Sequence, residues 1–272
     1  MSDPDYEAIA WSFDEDAGVG RIELDRPDAM NAIDGRMQRE LIEGFRRFRR
    51  LEEDRTGVAV RAIVVSGAGD RAFSTGLDVG EMQSITDYGE KKRIPDGFHE
   101  MAETIERCEP PVIARIDGLC LGGGLEIALA SDFRLASERS SFGQPEVNFG
   151  VLPGGGGAQR LSMIVGVSRA KELCMTGERI DAQQAAAEGI VDHVHPAAEL
   201  AEAVESFVDS IVDKPPLAVR TIKEAADRTR EVGFEEALQY GNRAWLSLSQ
   251  TRDYDRAVEA FGTDADVEWE GR

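Results

Sequence analysis

The chain has 272 residues, which allow one large domain, or a domain with an appendage, with a sizeable hydrophobic core. Its 52 acidic residues outnumber 31 lysines and arginines and give a formal net charge of −21, which disfavours binding to nucleic acid or to an anionic membrane. No stretch reaches the roughly 18 consecutive apolar residues that a membrane helix needs.

The positive charge comes mostly from arginine. The only lysines are Lys91, Lys92, Lys171, Lys214 and Lys223. Many carboxylates with few lysines are a pattern that fits a high-salt cytoplasm, because molar salt screens charge repulsion over a few ångströms. The alternative is an ordinary acidic protein.

Three cysteines, Cys108, Cys120 and Cys174, lie too far apart for a metal knuckle and are odd in number for a disulfide framework. We therefore expect reduced, buried thiols. Residues 1–7 are acidic and polar, without the cationic start and apolar run of a secretory signal, so the expected location is the cytoplasm.

Runs of β-forming residues alternate with helical patterns, an α/β order. The predicted strands cover 9–13, 19–24, 62–65, 112–116 and 133–136. After His195 the pattern becomes almost wholly helical. The helices predicted there cover 197–212, 216–231, 234–249 and 253–261.

The first helix begins after Asp34, a residue suited to cap it. Its apolar residues recur every three or four positions, as one buried face requires. They are Met37, Leu41, Phe45, Phe48 and Leu51. Arginines at positions 46, 47, 49 and 50 raise the alternative of a nucleic-acid patch, but glutamates interleave with them and favour a solvated helix face.

Gly122, Gly123 and Gly124 follow the predicted strand 112–116 and open a helix over 125–131. Free backbone N–H groups and the positive end of a helix dipole at such a junction favour an oxyanion. Close packing of a helix start against a strand is the alternative explanation for the small residues. An earlier glycine turn at Gly76 supplies a second set of N–H groups, so two donors from separate turns can meet one carbonyl oxygen.

Two glutamates occur in glycine-bearing segments, Glu126 in the first turn of that helix and Glu146 after Pro145. The helix dipole favours an ionised Glu126, and burial near aromatic residues would raise the pKa of Glu146. Brought to one pocket, one carboxyl can take a proton from water while the other gives a proton to the far end of a double bond. The alternative is that both carboxylates are helix caps.

Three other patterns lead to no site. The run of glycines at 154–157 lacks the Gly-Lys-Ser/Thr ending of a nucleotide loop. His193 and His195 share a strand face, but no third ligand stands at metal-binding spacing, since Asp192 points away. Ser74 lacks the glycine frame of a nucleophile elbow.

Together these segments resemble the enoyl-CoA hydratase/isomerase, or crotonase, family over nearly the whole chain. The matching segments are LDRPDAMNAI at 24–33, RAFSTGLDV at 71–79, LGGGLE at 121–126, FGQPE at 142–146, PGGGGAQRL at 153–161 and TRDYDRAVEAF at 251–261. The resemblance implies a crotonase-like α/β core of repeated ββα units in a spiral over residues 1–195. It also implies a helical region over 196–272 that joins subunits into trimers or dimers of trimers.

By the same resemblance, Glu126 activates water and Glu146 delivers a proton to Cα. The backbone N–H groups of Leu77 and Gly123 hold the thioester oxygen, and Gly154 helps to seat the water. The implied CoA-binding residues are Arg26, Ala29, Met30, Ala32, Ser74, Gly76, Asp78 and Val79. No metal and no cofactor is expected, since CoA is part of the substrate.

The chain departs from the family pattern at three places. Gly80 stands where many members have a lysine for the CoA phosphates, and Arg26 or Arg71 is a candidate to replace it. Residues 83–98 occupy the variable lid that shapes the acyl pocket. Asn148 is polar where aliphatic residues are common, which leaves the acyl group open.

The expected activity is that of an enoyl-CoA hydratase, a lyase of fatty-acid or amino-acid degradation. An isomerase is the neighbouring alternative, but it needs only one proton-shuttling carboxylate, so the pair of glutamates favours hydration. One branch of the family binds RNA, and the net charge of −21 argues against that alternative.

Overall fold

The chain folds into two β-sheets with helices packed against them. This computed structural model describes residues 5–53, 57–263 and 267–272. The strands are β1 (Ile9–Asp14), β2 (Val19–Leu24), β3 (Ala62–Gly67), β4 (Ala72–Ser74), β5 (Val112–Ile116), β6 (Leu119–Leu121), β7 (Phe133–Ser137), β8 (Ser141–Gly143), β9 (Arg179–Asp181) and β10 (His193–His195). The five strands predicted from the sequence are all present, with ends that differ by two residues or fewer.

The helices of the core are α1 (Gly35–Glu53), α2 (Val79–Ser84), α3 (Tyr88–Glu106), α4 (Gly123–Ala130), α5 (Gly157–Val165), α6 (Val167–Thr176) and α7 (Ala182–Ala187). Those that follow are α8 (Leu200–Val212), α9 (Pro216–Glu231), α10 (Phe234–Leu248) and α11 (Arg252–Ala260). Two 3-10 helices cover Pro27–Ala29 and Pro145–Phe149.

The larger sheet has the order β1-β2-β3-β5-β7-β10 and is parallel except for the β1/β2 hairpin. The smaller sheet has the order β4-β6-β8-β9. Three successive strand pairs, β3/β4, β5/β6 and β7/β8, each give their first strand to the larger sheet and their second to the smaller one. A helix follows each pair, so the chain advances as repeated ββα units and the predicted crotonase-like spiral is confirmed.

Helix α1 forms as its sequence pattern predicts. The Asp34 carboxylate accepts a hydrogen bond from the Met37 N–H at 2.8 Å and so caps the helix start. All five residues of the predicted apolar face are buried. They pack beneath the larger sheet in the main hydrophobic core.

The segment predicted as a variable lid is helical for most of its length. It contains the end of α2 and the first half of α3, with Pro95 inside α3. The buried residues of α3 are Phe98, Met101, Ala102 and Ile105, all in its second half. The second half anchors the helix in the core, and residues from both halves border the cavity described below.

Beyond β10, α8 packs on the other face of the larger sheet through Leu200, Val204 and Val208. The boundary between a catalytic core and a helical region at residue 196 stays a prediction. Helix α8, which follows that boundary, shares a hydrophobic core with the larger sheet. Helices α9–α11 leave large apolar side chains exposed: Ile222, Phe234, Leu238, Trp245, Leu246, Tyr254 and Val258. Within the described residues, no helix is both long and apolar enough to cross a membrane.

Candidate active site

A cavity of about 1750 Å³ opens among α2, α3, α5, the turns after β4 and β6, and the segment 145–154. Its lining includes all five residues that the sequence assigns to the reaction: Leu77, Gly123, Glu126, Glu146 and Gly154. Residues from four separate segments therefore share one space.

Glu126 lies in the first turn of α4 and is only 1% exposed. The Gly157 N–H donates to its Oε1 at 2.8 Å. Burial raises the pKa of Glu126, while the N–H groups of Gly157 and Gly155 and the charge of Arg160 lower it. The helix dipole was expected to favour the ionised form, but the cost of burial decides the direction of the shift.

Glu146 lies in the 3-10 helix Pro145–Phe149 and is half-buried. Burial and, less strongly, the negative charge of Glu126 raise the pKa of Glu146 to about 7. Burial thus raises the pKa of Glu146, as the sequence pattern predicts. A carboxyl with this pKa holds a proton at neutral pH in a large fraction of molecules.

Gln144 is fully buried beside Glu146. With its amide nitrogen turned toward the carboxylate, it donates to both Glu146 oxygens at 2.9 and 3.0 Å. This contact was not predicted, although Gln144 lies within the FGQPE segment that carries the resemblance.

Two glycine turns meet beside the glutamates. Gly76 and Gly122 both have positive φ, 83° and 53°, and a Cβ placed on Gly76 would lie 2.7 Å from the Gly123 nitrogen. Ile33 N–H donates to the Gly76 carbonyl at 2.7 Å, and Asp78 N–H donates to the Ile33 carbonyl at 2.9 Å. In such a parallel bridge the intervening Leu77 N–H points away from Ile33.

The predicted CoA-binding residues divide into two groups. Ala29, Met30, Ala32, Asp78 and Val79 line the cavity. The other three are not among the described residues that line the cavity: Arg26, Ser74 and Gly76.

Arg26 and Ser74 hold the wall together. Arg26 donates to the Ala32 carbonyl at 2.6 Å and to the Asp78 carboxylate at 3.0 Å. The Ser74 hydroxyl donates to the Asn31 carbonyl at 2.7 Å. Their roles toward CoA stay predictions. The contacts of Arg26 support two residues that line the cavity, Ala32 and Asp78, whereas Ser74 holds the buried Asn31.

Arg71, the other candidate to replace the missing lysine, donates to the Pro27 carbonyl at 3.0 Å and the Asp28 carbonyl at 3.3 Å. Four basic side chains among the described residues do line the cavity, and the sequence named none of them as a site residue, although Lys91 lies in the predicted lid. They are Lys91, His99, Arg160 and Arg179. They come from α3, α5 and β9, and only tertiary contact brings them together.

Metal binding finds no support in the described residues, which contain no group of three or more potential ligands. His193 and His195 have ring centroids 6.3 Å apart on β10, and Asp192 forms an ion pair with Arg134 at 3.2 Å. Of the glycines at 154–157, Gly155 and Gly157 lie against the Glu126 carboxylate.

A family model described as enoyl-CoA hydratase/isomerase matches residues 14–272. The short-chain-enoyl-CoA hydratase of Clostridium acetobutylicum is 34% identical over 251 residues, which are 92% of this chain and 93% of that protein. The crotonyl-CoA hydratase of Syntrophomonas wolfei is 34% identical over 94% of this chain and 95% of its own length.

Among solved structures, enoyl-CoA hydratase from Bacillus anthracis superposes with a TM-score of 0.90 at 31% identity, covering 98% of this chain and all of that one. The fold, the motifs and the cavity agree with these similarities. The chain therefore belongs to the enoyl-CoA hydratase/isomerase family.

Proposed function

We propose that this protein is an enoyl-CoA hydratase, a lyase that adds water reversibly across a trans-2-enoyl-CoA to give 3-hydroxyacyl-CoA. The observation that carries the proposal is the presence of two carboxyls, buried Glu126 and half-buried Glu146, on one cavity with two glycine turns. The named hydratases that are similar over more than nine tenths of the chain support it.

In this mechanism the thioester oxygen lies between the backbone N–H groups of Leu77 and Gly123. Their hydrogen bonds withdraw electrons from the conjugated system and stabilise the enolate-like transition state. Loss of one such donor costs about 10²–10³ in rate in comparable sites. Gly122 and Gly76 allow the two turns to approach each other this closely.

Glu126, ionised, takes a proton from water as the water oxygen bonds to C3. Glu146, protonated, gives its proton to C2, so overall one O–H bond of water and the C2–C3 π bond break, and one C–O and one C–H bond form. Glu126 is left protonated and Glu146 ionised, and proton exchange with solvent restores both. The pKa of Glu146, about 7, suits a group that must carry a proton at neutral pH. Water addition involves no net redox change, so we propose no cofactor beyond the CoA of the substrate.

The test is a series of trans-2-enoyl-CoA thioesters of increasing length in H₂¹⁸O, followed by the absorbance of the conjugated thioester. A hydratase removes the conjugated double bond, so the absorbance falls, and it places ¹⁸O at C3. The length series identifies the preferred acyl group. The Glu126→Gln variant should lose label incorporation far more than residual exchange of the Cα proton, because Glu146 and the oxyanion donors remain.

An enoyl-CoA isomerase is the second candidate. Isomerisation needs one carboxyl that carries a proton between two carbons, and a pKa of about 7 suits Glu146 to that role. Conversion of a 3-enoyl-CoA to its 2-enoyl isomer without incorporation of ¹⁸O would replace hydratase by isomerase.

We further propose that the protein works in the cytoplasm in fatty-acid or amino-acid degradation, as a homotrimer or dimer of trimers. The exposed apolar side chains of α9–α11 support assembly. The net charge of −21 supports a high-salt setting without nucleic-acid or membrane partners. A melting temperature that stays constant from tenths of molar to molar KCl would remove the high-salt proposal.

A further inference from the structure

Arg160 of α5 lies between the glycine loop 154–157 and α3, and only 8% of it is exposed. Its Nη1 donates to the Gly155 carbonyl at 2.6 Å, and its Nη2 donates to Glu106 Oε2 at 2.7 Å. Gly156 has φ of +90°, and a Cβ there would lie 2.5 Å from Arg160 Nη1. The loop is therefore folded closely around the guanidinium group.

The opposite side of this loop faces Glu126. Gly157 donates its N–H to Glu126 Oε1 at 2.8 Å, and a Cβ on Gly155 would lie 2.8 Å from Glu126 Oε2. One short segment thus turns a carbonyl toward Arg160 and N–H groups toward the carboxylate. A displacement of the loop would change both contacts together.

We propose that Arg160 is a positioning residue for Glu126, because its bridge from Gly155 to Glu106 holds the loop whose N–H groups orient the carboxylate. The inference rests on the proposed function, in which Glu126 activates water. In the described part of the chain the polar partners of Arg160 are the Gly155 carbonyl and Glu106, so it acts on the Glu126 carboxylate through this loop and through its charge.

The bridge also connects distant parts of the chain. Glu106 is the last residue of α3, the helix that borders the cavity, and it accepts a second, longer contact from Arg230 of α9 at 3.5 Å. The carboxylate of Glu126 is therefore linked through the loop and Arg160 to the helical region beyond residue 196.

Several charged or titratable groups surround Glu126. Arg160 lowers the pKa of Glu126, and the negative charge of Glu126 raises the pKa of Glu146. Glu106 and His99 of α3 line the same cavity, and the pKa of the Cys174 thiol on α6 is raised chiefly by burial and secondarily by both glutamates. Removal of the guanidinium should therefore raise the pKa of Glu126.

The experiment compares Arg160→Met and Arg160→Lys by the pH dependence of kcat and kcat/KM with a short enoyl-CoA. We expect Arg160→Met to lower kcat by about 10- to 100-fold with little change in KM, because the base is misplaced rather than the substrate lost. The apparent pKa of the acidic limb of the kcat/KM profile should rise by about half a pH unit or more. Arg160→Lys keeps the charge but cannot bridge both partners, so its acidic limb should stay in place while kcat falls.

Arg169→Met is the matched control. Arg169 is also an arginine with several carboxylate partners, Glu172, Glu178 and Glu188, but it does not line the cavity. It should retain the wild-type pH profile. Melting temperature and assembly state are measured for every variant, so that lost structure is separated from lost positioning.

If Arg160→Met does not fold, Glu106→Leu removes the carboxylate that anchors Arg160 and leaves the arginine charge in place. It should lower kcat without raising the acidic limb. Wild-type kcat in Glu106→Leu, or an unmoved acidic limb in folded Arg160→Met, would overturn the role of Arg160 while wild-type hydration still supported the proposed function. Failure of the wild-type protein to hydrate enoyl-CoA would overturn both.

Discussion

Glu126 and Glu146 are the same residue type in two different environments. Glu126 is almost fully buried and has N–H donors and an arginine nearby, which favour its ionised form against the cost of burial. Glu146 is half-buried, and its pKa is raised to about 7. Such contrasts are how two carboxyls come to serve as base and acid in one site.

Glu126→Gln and Glu146→Gln should each lower kcat by about 10³-fold, because each removes one of two proton transfers in a single addition. The double variant should be little slower than either single variant, since the two groups act as a unit. Substrate binding should survive in all three. Glu235→Gln, an exposed residue of α10, is the control. Activity retained in both single variants would contradict the mechanism.

Glu146 should also make stability depend on pH. Its pKa rises from an ordinary value near 4.5 to about 7 in the folded protein, so the folded state keeps a proton that the unfolded chain releases. Its contribution to stability is fully present below about pH 4.5 and is lost as the pH rises through 7, by on the order of 3 kcal/mol.

Glu146→Gln lacks this titration. The stability of the wild type relative to Glu146→Gln should therefore fall between pH 4.5 and 7.5, as measured by urea unfolding at each pH. A difference that stays constant over this range would show that the carboxyl is not perturbed.

At the scale of elements, the start of α4 is set by backbone contact with β4. A Cβ on Gly124 would lie 2.4 Å from the Ser74 carbonyl oxygen, and the neighbouring turn at Gly76 lies against the Gly123 nitrogen. The distance between the two proposed oxyanion donors therefore depends on the absence of side chains at this junction.

Gly124→Ala should force α4 away from β4. We expect a loss of about 1–3 kcal/mol of stability from overpacking and a fall in kcat larger than any change in KM. Gly233→Ala is the control, because no atom lies within 4 Å of its Cβ position and its φ is ordinary. The control should change stability by less than about 1 kcal/mol. If Gly124→Ala and Gly233→Ala have the same kcat and KM, the packing of α4 against β4 does not affect catalysis.

At the scale of the whole molecule, α9–α11 carry the exposed apolar side chains that a solvated surface does not explain. Trp245 is 60% exposed on α10, next to Leu246 at 57%. Because burying aromatic surface is a main source of affinity between subunits, these residues are expected to lie in contacts between copies.

Light scattering should give a mass that is a multiple of 29.7 kDa, three or six times for the proposed assemblies. Trp245→Glu should shift the mass toward the monomer, whereas Trp245→Phe should keep the assembly because it keeps an apolar ring. A monomeric wild type would contradict assembly through these helices.

The family, the α/β class, the longer strands and the capped first helix follow from the sequence, which also predicts the two glutamates that the structure places on one cavity. These features depend on short-range patterns: five-residue apolar runs, helical spacing and glycines beside charged residues. The three-residue strands β4, β6, β8 and β9 were not predicted, because three residues are too few to show a period.

The surroundings of each carboxyl, in contrast, depend on the folded chain. Gln144 against Glu146, Arg160 bridging to Glu106, and Arg26 inside the cavity wall are contacts between side chains whose positions are set by packing of distant segments. The pKa of Glu146 follows from burial, and burial belongs to the folded chain as a whole. Local patterns place a carboxyl in the chain, but desolvation and neighbouring charges, which set its proton affinity, arise only when the chain has folded.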